Sequence, residues 1–145
     1  AAEVTASDIS RAAINTACVN ARNHKVKINF ILSNLFSTIA SSNYDIIVSN
    51  PPYISSAEFV CLQPEIYFEP RIALDAGDDG ISFYRRIIKD APAYLKKNGF
   101  LIMEMGYNQS DRISELIEKS RCFCVEEIVK DYSGIKRVMV AKKNG

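Results

Sequence analysis

The sequence predicts an α/β fold, in which a doubly wound, mostly parallel β-sheet ends in an antiparallel hairpin. Predicted strands and helices alternate along the 145 residues, which is the pattern of a sheet with helices on both faces. The segment Ile46-Ile47-Val48 is short, β-branched and uncharged, as in a strand that is buried on both faces of a parallel sheet. The last two predicted strands are separated by only a few residues, so we expect them to pair as a hairpin.

The first third of the chain predicts a strand, a helix and a second strand in succession. The first strand ends at Asp8, the helix covers residues 9–23, and the second strand covers residues 27–32. We expect the helix to bury an apolar face made of Ile9, Ala13, Ala17 and Ala21. A polar link then leads to the predicted buried strand, which ends at Asn50.

The rest of the chain begins with a long connection, residues 54–79, and loops of this length are usually functional. A helix is expected over residues 80–95, with Pro92 distorting its last turn. Its predicted inner side consists of Ile81, Tyr84, Ile88 and Leu95. The remaining predicted elements are a strand over residues 100–105 after a break at Asn98-Gly99, a helix over 110–120 capped by Ser110, and strands over 124–130 and 137–142.

Composition and charge narrow the class of protein. Hydrophobic residues make up 48% of the chain, enough for a single domain over residues 1–145 with its own core. No apolar run is long enough to span a membrane and no secretory signal opens the chain, so we expect a cytoplasmic protein without membrane association. The net charge of +1 comes from scattered residues, which disfavours direct nucleic-acid binding. One histidine and four cysteines without a Cys-x-x-Cys pair predict no metal site and mostly buried, reduced thiols.

The most informative stretch is Asn50-Pro51-Pro52-Tyr53, which follows the predicted buried strand. Ligands bind at the carboxyl ends of the strands in open α/β sheets. Each residue that precedes a proline is held in an extended conformation, so the backbone here is stiff. The Asn50 side-chain oxygen and the Pro51 carbonyl therefore offer two hydrogen-bond acceptors at a constant spacing, which suits a substrate NH2 group. The alternative is a rigid turn without a catalytic role.

This motif resembles the signature of S-adenosylmethionine-dependent methyltransferases that modify planar exocyclic or amide nitrogens. Further blocks make the chain similar to the protein-(glutamine-N5) methyltransferases that act on peptide chain release factors. These blocks are Phe68-Glu69-Pro70-Arg71-Ile72-Ala73-Leu74-Asp75, Asp79-Gly80-Ile81-Ser82-Phe83-Tyr84-Arg85-Arg86-Ile87-Ile88, Met103-Glu104-Met105-Gly106 and Lys130-Asp131-Tyr132-Ser133-Gly134-Ile135-Lys136-Arg137-Val138. The resemblance covers nearly the whole chain. It implies a Rossmann-like class I methyltransferase fold, S-adenosylmethionine as cofactor, S-adenosylhomocysteine as product, and a release-factor glutamine in a Gly-Gly-Gln motif as substrate.

The resemblance assigns the catalytic role to Asn50, Pro51, Pro52 and Tyr53. The Asn50 oxygen and the Pro51 carbonyl would accept the two hydrogens of the glutamine amide, holding its nitrogen in line with the methyl group. Tyr53 would pack against the flat amide and exclude water. The same comparison makes Glu69 and Pro70 a wall of the substrate site, with a solvated charge beside a turn proline as the alternative.

The resemblance places the cofactor near Asp8, Asn34, Leu35 and Asn50. The carboxylate of Asp8 would accept hydrogen bonds from the ribose hydroxyls, although Asp at this position is also a good helix N-cap. Asn34 and Leu35 follow the second strand, where the family usually has an acid that contacts the adenine amino group. Asn34 departs from that pattern, because an amide oxygen accepts a hydrogen bond without the charge of a carboxylate.

Several other polar residues have simpler interpretations. Glu104 and Gly106 end a strand at the same sheet edge and are candidates for contact with the site, with a simple turn as the alternative for Gly106. We expect Asp131 and Arg137 to form a structural salt bridge that flanks the hairpin, and His24 to lie at the C-terminal end of a helix.

One part of the family pattern is missing from the sequence. In the family, a strand and a glycine-rich turn precede the position of Asp8, whereas only seven residues precede it here and no Gly-x-Gly is present. We therefore expect a partial catalytic domain without the first βα unit and the helical N-terminal domain, which leaves the activity of the chain alone open. Two further functions also stay open: an amino-methyltransferase acting on adenine or guanine in nucleic acid, and a non-catalytic fragment or binding module.

Overall fold

The described residues form two β-sheets. The computed structural model describes residues 2–40, 43–59 and 64–145. Contacts divide the chain into two units, Ala1–Ser41 and Ser42–Gly145, and each is described by itself. The first unit holds a two-stranded sheet and the second holds a four-stranded sheet.

The first unit is a strand–helix–strand arrangement, as predicted. Strand β1 (Thr5–Asp8) and strand β2 (Asn29–Leu32) pair in parallel, and helix α1 (Arg11–Asn23) connects them. Ser10 is the N-cap of the helix, since its side chain accepts a hydrogen bond from the Ala13 amide, and His24 is the C-cap, which confirms its predicted position.

The buried face of α1 differs from the predicted one. Ile14 and Ala21 are buried, whereas Ile9 and Ala13 are exposed. Because the helix begins at Arg11, Ile9 lies before its first turn and does not share its periodicity. The apolar stripe therefore starts from Ile14.

The second unit contains strands β3 (Tyr44–Ser49), β4 (Leu95–Glu104), β5 (Phe123–Lys130) and β6 (Lys136–Lys143) in the order β3-β4-β6-β5. Strands β3 and β4 are parallel, while β6 is antiparallel to both β4 and β5. The predicted α/β class and its C-terminal antiparallel hairpin are thus confirmed.

The prediction that Ile46-Ile47-Val48 is buried on both faces is wrong. Strand β3 is the end strand of its sheet, and the side chains of Ile46 and Val48 are 53% and 73% exposed. These two residues share one face because side chains alternate along a strand, and both are exposed on it. β-Branched composition therefore predicted the strand correctly but not its burial.

The helices of the second unit are α2 (Ser56–Phe59), α3 (Ser82–Asp90) and α4 (Ser110–Ser120), with 3-10 turns at Pro64–Phe68, Arg71–Ala73 and Ala91–Ala93. Helix α3 ends before Pro92, earlier than predicted, because proline cannot continue the helical hydrogen bonding. Strand β4 then starts at Leu95 and runs through Asn98-Gly99, which the sequence predicted to be a break. Asn98 nevertheless adopts a positive φ of 61°. The pairing of β4 with β3 is irregular there, so the predicted break corresponds to an irregularity within the strand.

The core of the second unit lies between the four-stranded sheet and helices α3 and α4. The predicted inner residues Ile81, Tyr84, Ile88 and Leu95 are all buried. Its largest fully buried side chains are Tyr84, Ile87, Leu101, Met103, Met105, Ile113, Ile117 and Met139. This core supports the ends of β3 and β4, where the site residues lie.

Two cysteines contradict the prediction of mostly buried thiols, because Cys122 and Cys124 are exposed and Cys18 is only half-buried. Cys61 lies outside the described residues. The described residues contain no cluster of His, Cys, Asp and Glu that could hold a metal ion. Within residues 2–40, 43–59 and 64–145, no helix has both the length and the apolar character needed to cross a membrane.

Candidate active site

The candidate catalytic motif follows directly from the end of β3. Ser49, the last residue of β3, pairs with Met103 of the parallel strand β4, so the segments after both strands emerge at one sheet edge. Asn50 is exposed at this edge, whereas Pro51 is buried beneath it. The motif therefore presents a solvent-accessible amide on a buried proline support.

The chain after the motif is tied down by backbone hydrogen bonds. Ile54 donates to the Leu74 carbonyl at 3.1 Å and accepts from the Ala76 amide at 2.8 Å, forming an isolated parallel bridge with Asp75. The long connection consequently leaves the motif and returns beside it, so its far end borders the motif's C-terminal side.

Gln109 joins three segments at this edge. Its side-chain nitrogen donates to the carbonyl oxygens of Tyr53 at 2.8 Å and Gly80 at 3.2 Å, and its side-chain oxygen accepts from the Gly106 amide at 3.0 Å. These partners orient the amide, because the flipped form would place its oxygen against two carbonyls. Gln109 is only 8% exposed; its bonds to Gly80 and Gly106 are buried, and its bond to Tyr53 is partly buried.

Gly106 allows Tyr53 to lie against the end of β4. A Cβ atom at Gly106 would be 2.9 Å from Gln109 Oε1 and 3.0 Å from Tyr53 Cδ2. Such distances are shorter than ordinary Cβ contacts, so a side chain at residue 106 would displace Gln109 or Tyr53, and close packing, not a turn alone, favours glycine here. Tyr53 is half-buried in this position.

A buried tyrosine supports the same strand end. The hydroxyl of Tyr84 donates to the Glu104 carbonyl at 2.8 Å. Burial raises the pKa of Tyr84, and the nearby Tyr53 and Glu104 raise it further. Tyr84 thus stays a neutral hydrogen-bond donor under Glu104.

Asp75 holds the two ends of the long connection together. Its carboxylate accepts hydrogen bonds from the Ser56 hydroxyl at 2.9 Å, the Gly77 amide at 2.9 Å and the Arg71 guanidinium at 2.8 and 3.0 Å. The Gly77 amide, followed by Arg71 and Ser56, lowers the pKa of Asp75. In the sequence, Asp75 is recognisable only as the last residue of a block that resembles the family.

Glu69 and Pro70 are both exposed on the long connection. Pro70 is the residue before the 3-10 turn Arg71–Ala73, and its carbonyl accepts from the Ala73 amide at 2.8 Å. The backbone of Glu69 closes the preceding turn by donating to Ile66 at 3.0 Å. The predicted substrate role of this pair stays a prediction.

In the first unit, the predicted cofactor residues share one sheet edge. Asp8 ends β1, and its carbonyl accepts from the Ser33 amide at 2.9 Å, directly before Asn34 and Leu35. Asp8 Oδ1 accepts from the Ser10 amide at 2.7 Å, but Ser10 and not Asp8 is the N-cap of α1. Asn34 is exposed, and Leu35 has a positive φ of 53° that shapes the turn after β2.

The hairpin block contains the expected salt bridge. Arg137 Nε lies 3.0 Å from an Asp131 carboxylate oxygen, and the other oxygen accepts from the Ser133 and Ile135 amides at 2.9 and 3.0 Å. These bonds, led by that from Ile135, lower the pKa of Asp131. The pair stabilises the turn between β5 and β6.

Gln109 is not among the site residues that the sequence predicts, and it directly precedes the predicted helix capped by Ser110. The structure makes Gln109 the N-cap of α4, without a side-chain capping bond. Glutamine is not a favoured N-cap residue, and its side chain is instead used for the contacts with Tyr53, Gly80 and Gly106. No local pattern in the sequence indicates these contacts.

Known proteins resemble the chain in both sequence and structure. A family model described as methyltransferase small domain matches residues 1–66. A release factor glutamine methyltransferase from Fusobacterium nucleatum is 46% identical over 97% of the chain, and one from Geobacter sulfurreducens is 39% identical over 95%. A ribosomal protein uL3 glutamine methyltransferase from Francisella tularensis is 39% identical over 74% of the chain.

The comparison with solved structures identifies the fold. A methyltransferase from Pyrococcus furiosus superposes with a TM-score of 0.73 over 99% of this chain and 64% of that one, at 16% identity. The chain spans 40% of the length of the Fusobacterium relative and 49% of the Geobacter relative. It has the Rossmann-like fold of class I methyltransferases, and along nearly its whole length its sequence is similar to release factor glutamine methyltransferases.

Proposed function

We propose that this chain carries the active site of a protein-glutamine N5-methyltransferase. Its substrate would be the glutamine of the Gly-Gly-Gln motif of a peptide chain release factor, which places the reaction in the cytoplasm. The observation that carries this proposal is the exposed Asn50 amide on the buried Pro51 support, at the carboxyl end of β3. The similarity to the Fusobacterium and Geobacter relatives supports the choice of substrate.

The motif would act mainly by positioning the substrate nitrogen. Its two acceptors are the Asn50 side-chain oxygen and the Pro51 carbonyl, which would hold the two hydrogens of the glutamine amide. As the N–C bond forms, positive charge grows on the nitrogen, and the two oxygens stabilise that charge. The methylated nitrogen is then positively charged and strongly acidic, so it can give one proton to water, and no strong base is required within the motif. Tyr53, held against Gly106, would cover the planar amide.

The polar residues of the first unit suit the cofactor. Asp8 and Asn34 follow adjacent parallel strands, so a carboxylate and an amide are offered at one sheet edge. A carboxylate suits the vicinal hydroxyls of a ribose, and an amide oxygen accepts from an adenine amino group. S-adenosylmethionine, when bound, supplies an electrophilic methyl group on its sulfonium and leaves as S-adenosylhomocysteine. Leu35, in the turn after β2, is a further proposed cofactor contact of this unit, and the contact expected of Asn50 stays a prediction.

The site residues and the extent of the domain are parts of the same proposal. Asn50, Pro51, Pro52 and Tyr53 form the catalytic group, and Glu69 with Pro70 borders the substrate from the long connection. Residues 1–145 would act together as one partial catalytic domain. The near-neutral charge supports a protein substrate over a nucleic acid.

Mass spectrometry of a release factor after incubation with S-adenosylmethionine tests this proposal. Two proteins are assayed: this chain, and a chimera in which it replaces the matched region of the Fusobacterium relative. One added methyl group on the Gly-Gly-Gln glutamine, absent from a release factor with alanine at that position, is the expected result from the chimera.

Two further arms separate the other functions. If the intact Fusobacterium relative methylates the release factor but neither the chain nor the chimera does, the proposal is wrong. Methylated adenine or guanine in parallel RNA and DNA incubations, without release-factor methylation, would establish the nucleic-acid alternative. Calorimetric titration of the chain with S-adenosylhomocysteine distinguishes a binding module from an inactive segment.

A further inference from the structure

We propose that Gln109 is a positioning residue for the Asn50-Pro51-Pro52-Tyr53 motif, and that the rate of methyl transfer depends on its side-chain amide. This inference rests on the proposed function. Gln109 does not belong to the motif and contributes no atom to the two proposed acceptors. Its role would be to hold the motif's C-terminal residue in place.

The first argument is the completeness of the hydrogen bonding. The side-chain nitrogen of Gln109 uses both hydrogens, on the Tyr53 and Gly80 carbonyls, and the oxygen accepts from Gly106. A primary amide is the neutral side-chain group that supplies two donors and one acceptor in this arrangement. A residue that served only to begin α4 would need none of these bonds.

The second argument is the connectivity that the bonds create. Tyr53 ends the motif, Gly80 lies just before α3, and Gly106 lies just after β4. One side chain therefore links the candidate motif to a helix start and to a neighbouring strand end. Two of these bonds are buried and the one to Tyr53 is partly buried, so they are electrostatically stronger than the same bonds in water.

The third argument is that the motif is also held at its other end, by strand β3. Asn50 follows β3 directly, and the two prolines restrict the backbone between it and Tyr53. With β3 fixing Asn50 and Gln109 fixing the Tyr53 carbonyl, the stiff segment is held at both ends. Loss of the Gln109 bonds would release the Tyr53 end, which displaces Tyr53 and, through the stiff prolines, the Pro51 carbonyl relative to the substrate nitrogen.

Substitutions at Gln109 separate its donor and acceptor functions. Gln109→Glu keeps an oxygen for the Gly106 amide but turns a carboxylate oxygen toward the two carbonyls. Gln109→Met keeps the approximate length and removes all three bonds. We expect each variant, in the chimera, to lower kcat about 10- to 100-fold, the loss typical of a misplaced reacting group. The KM for the release factor and the affinity for S-adenosylhomocysteine should stay near their original values.

A stability control separates positioning from general destabilisation. Ile117 is fully buried on the same helix, so Ile117→Val, or Ile117→Ala if the smaller change has no effect, weakens the core without touching the Gln109 bonds. Urea denaturation identifies the Ile117 variant whose stability matches that of Gln109→Met, and this variant should retain kcat.

The outcomes distinguish this inference from the proposed function. If the unmodified chimera is inactive while the intact Fusobacterium relative is active, both the proposed function and the positioning role of Gln109 are wrong. If the unmodified chimera is active and Gln109→Met keeps its kcat, or if the matched Ile117 variant loses kcat equally, the positioning role is wrong while the proposed function stands. Faster amide hydrogen exchange at Gly106 in Gln109→Met than in the Ile117 variant would accompany a positioning role.

Discussion

The hydroxyl of Tyr84 donates a 2.8 Å hydrogen bond to the carbonyl oxygen of Glu104, and so joins helix α3 to the last residue of β4. Tyr84 is fully buried, and its hydroxyl stays neutral because burial raises its pKa. Glu104 lies two residues before Gly106, against which Tyr53 packs. The bond therefore holds the end of β4 in place from the side of the core, next to the residue against which the candidate motif packs.

Removing this hydroxyl should destabilise the protein. Tyr84→Phe leaves a buried carbonyl without its partner, and we expect the free energy of unfolding to fall by about 1–3 kcal/mol. Urea denaturation followed by circular dichroism measures the change. Tyr132→Phe is the matched control, because Tyr132 is fully exposed and its variant should unfold like the parent protein. Equal stability of the two variants would contradict the contribution assigned to the bond.

Acid should weaken the closure of the long connection through Asp75. The folded-state pKa of Asp75 is lowered, so its contribution is complete above the unfolded pKa of about 4 and is lost as pH falls through the folded value. Asp75→Asn should therefore be less stable than the parent at neutral pH, and the difference should shrink in acid.

Thermal denaturation between about pH 7 and pH 2.5 measures whether the stability of Asp75→Asn approaches that of the parent in acid. This range brackets an ordinary carboxyl pKa. Asp78→Asn removes the same charge from an exposed neighbour and serves as the control. A difference between Asp75→Asn and the parent that stays constant with pH would show that the lowered pKa does not contribute to stability.

Asn50→Ala should abolish turnover without abolishing cofactor binding. The change removes one of the two proposed acceptors, and we expect kcat in the chimera to fall on the order of 100-fold or more. Calorimetry with S-adenosylhomocysteine should still detect binding. Asn43→Ala, at an exposed position before β3, is the control for loss of an asparagine. Turnover by Asn50→Ala at the parent rate would exclude the catalytic role.

Gly106→Ala should disturb the packing of Tyr53 and Gln109, because its Cβ atom would lie 2.9 Å from Gln109 Oε1. We expect kcat to fall about 10-fold or more through displacement of the motif. Gly134→Ala is the matched control, since Gly134 has a positive φ of 79° but open space around it. That variant should lose stability by roughly 1 kcal/mol and keep its kcat. Equal kcat losses would refute a local effect at Gly106.

Asp8→Ala should weaken cofactor binding more than it affects folding. The carboxylate is the proposed acceptor for the ribose hydroxyls, and losing hydrogen bonds to a charged group should reduce affinity about 10-fold or more. Calorimetric titration of the chimera with S-adenosylhomocysteine measures the effect. Glu3→Ala removes an exposed carboxylate near the same strand and should leave affinity unchanged. Unchanged affinity in Asp8→Ala would exclude the ribose contact.

Local chemistry explains why much of the second unit was predictable. Apolar periodicity placed Ile81, Tyr84 and Ile88 in the core, and the short link before Arg137 predicted the hairpin. These features depend on neighbours along the chain, and local propensities and spacing describe such neighbours well.

Burial of β3 was not predictable in the same way. The run Ile46-Ile47-Val48 satisfies the composition of a buried strand, but exposure depends on which element covers each face of the sheet. The same limit applies to the exposed thiols of Cys122 and Cys124. Composition indicates which environment a side chain favours, whereas its actual burial depends on the elements that pack against it.

The sequence by itself determined the chemistry of the candidate motif, because Asn50 supplies an amide and Pro51 and Pro52 restrict the backbone wherever they occur. Only the tertiary structure decided that Gln109, 56 residues after Tyr53, would hold that motif's last carbonyl. The physical reason is that a hydrogen bond between distant segments depends on the register of β3 against β4 and the placement of α4. These relations arise from the packed core, not from any local pattern.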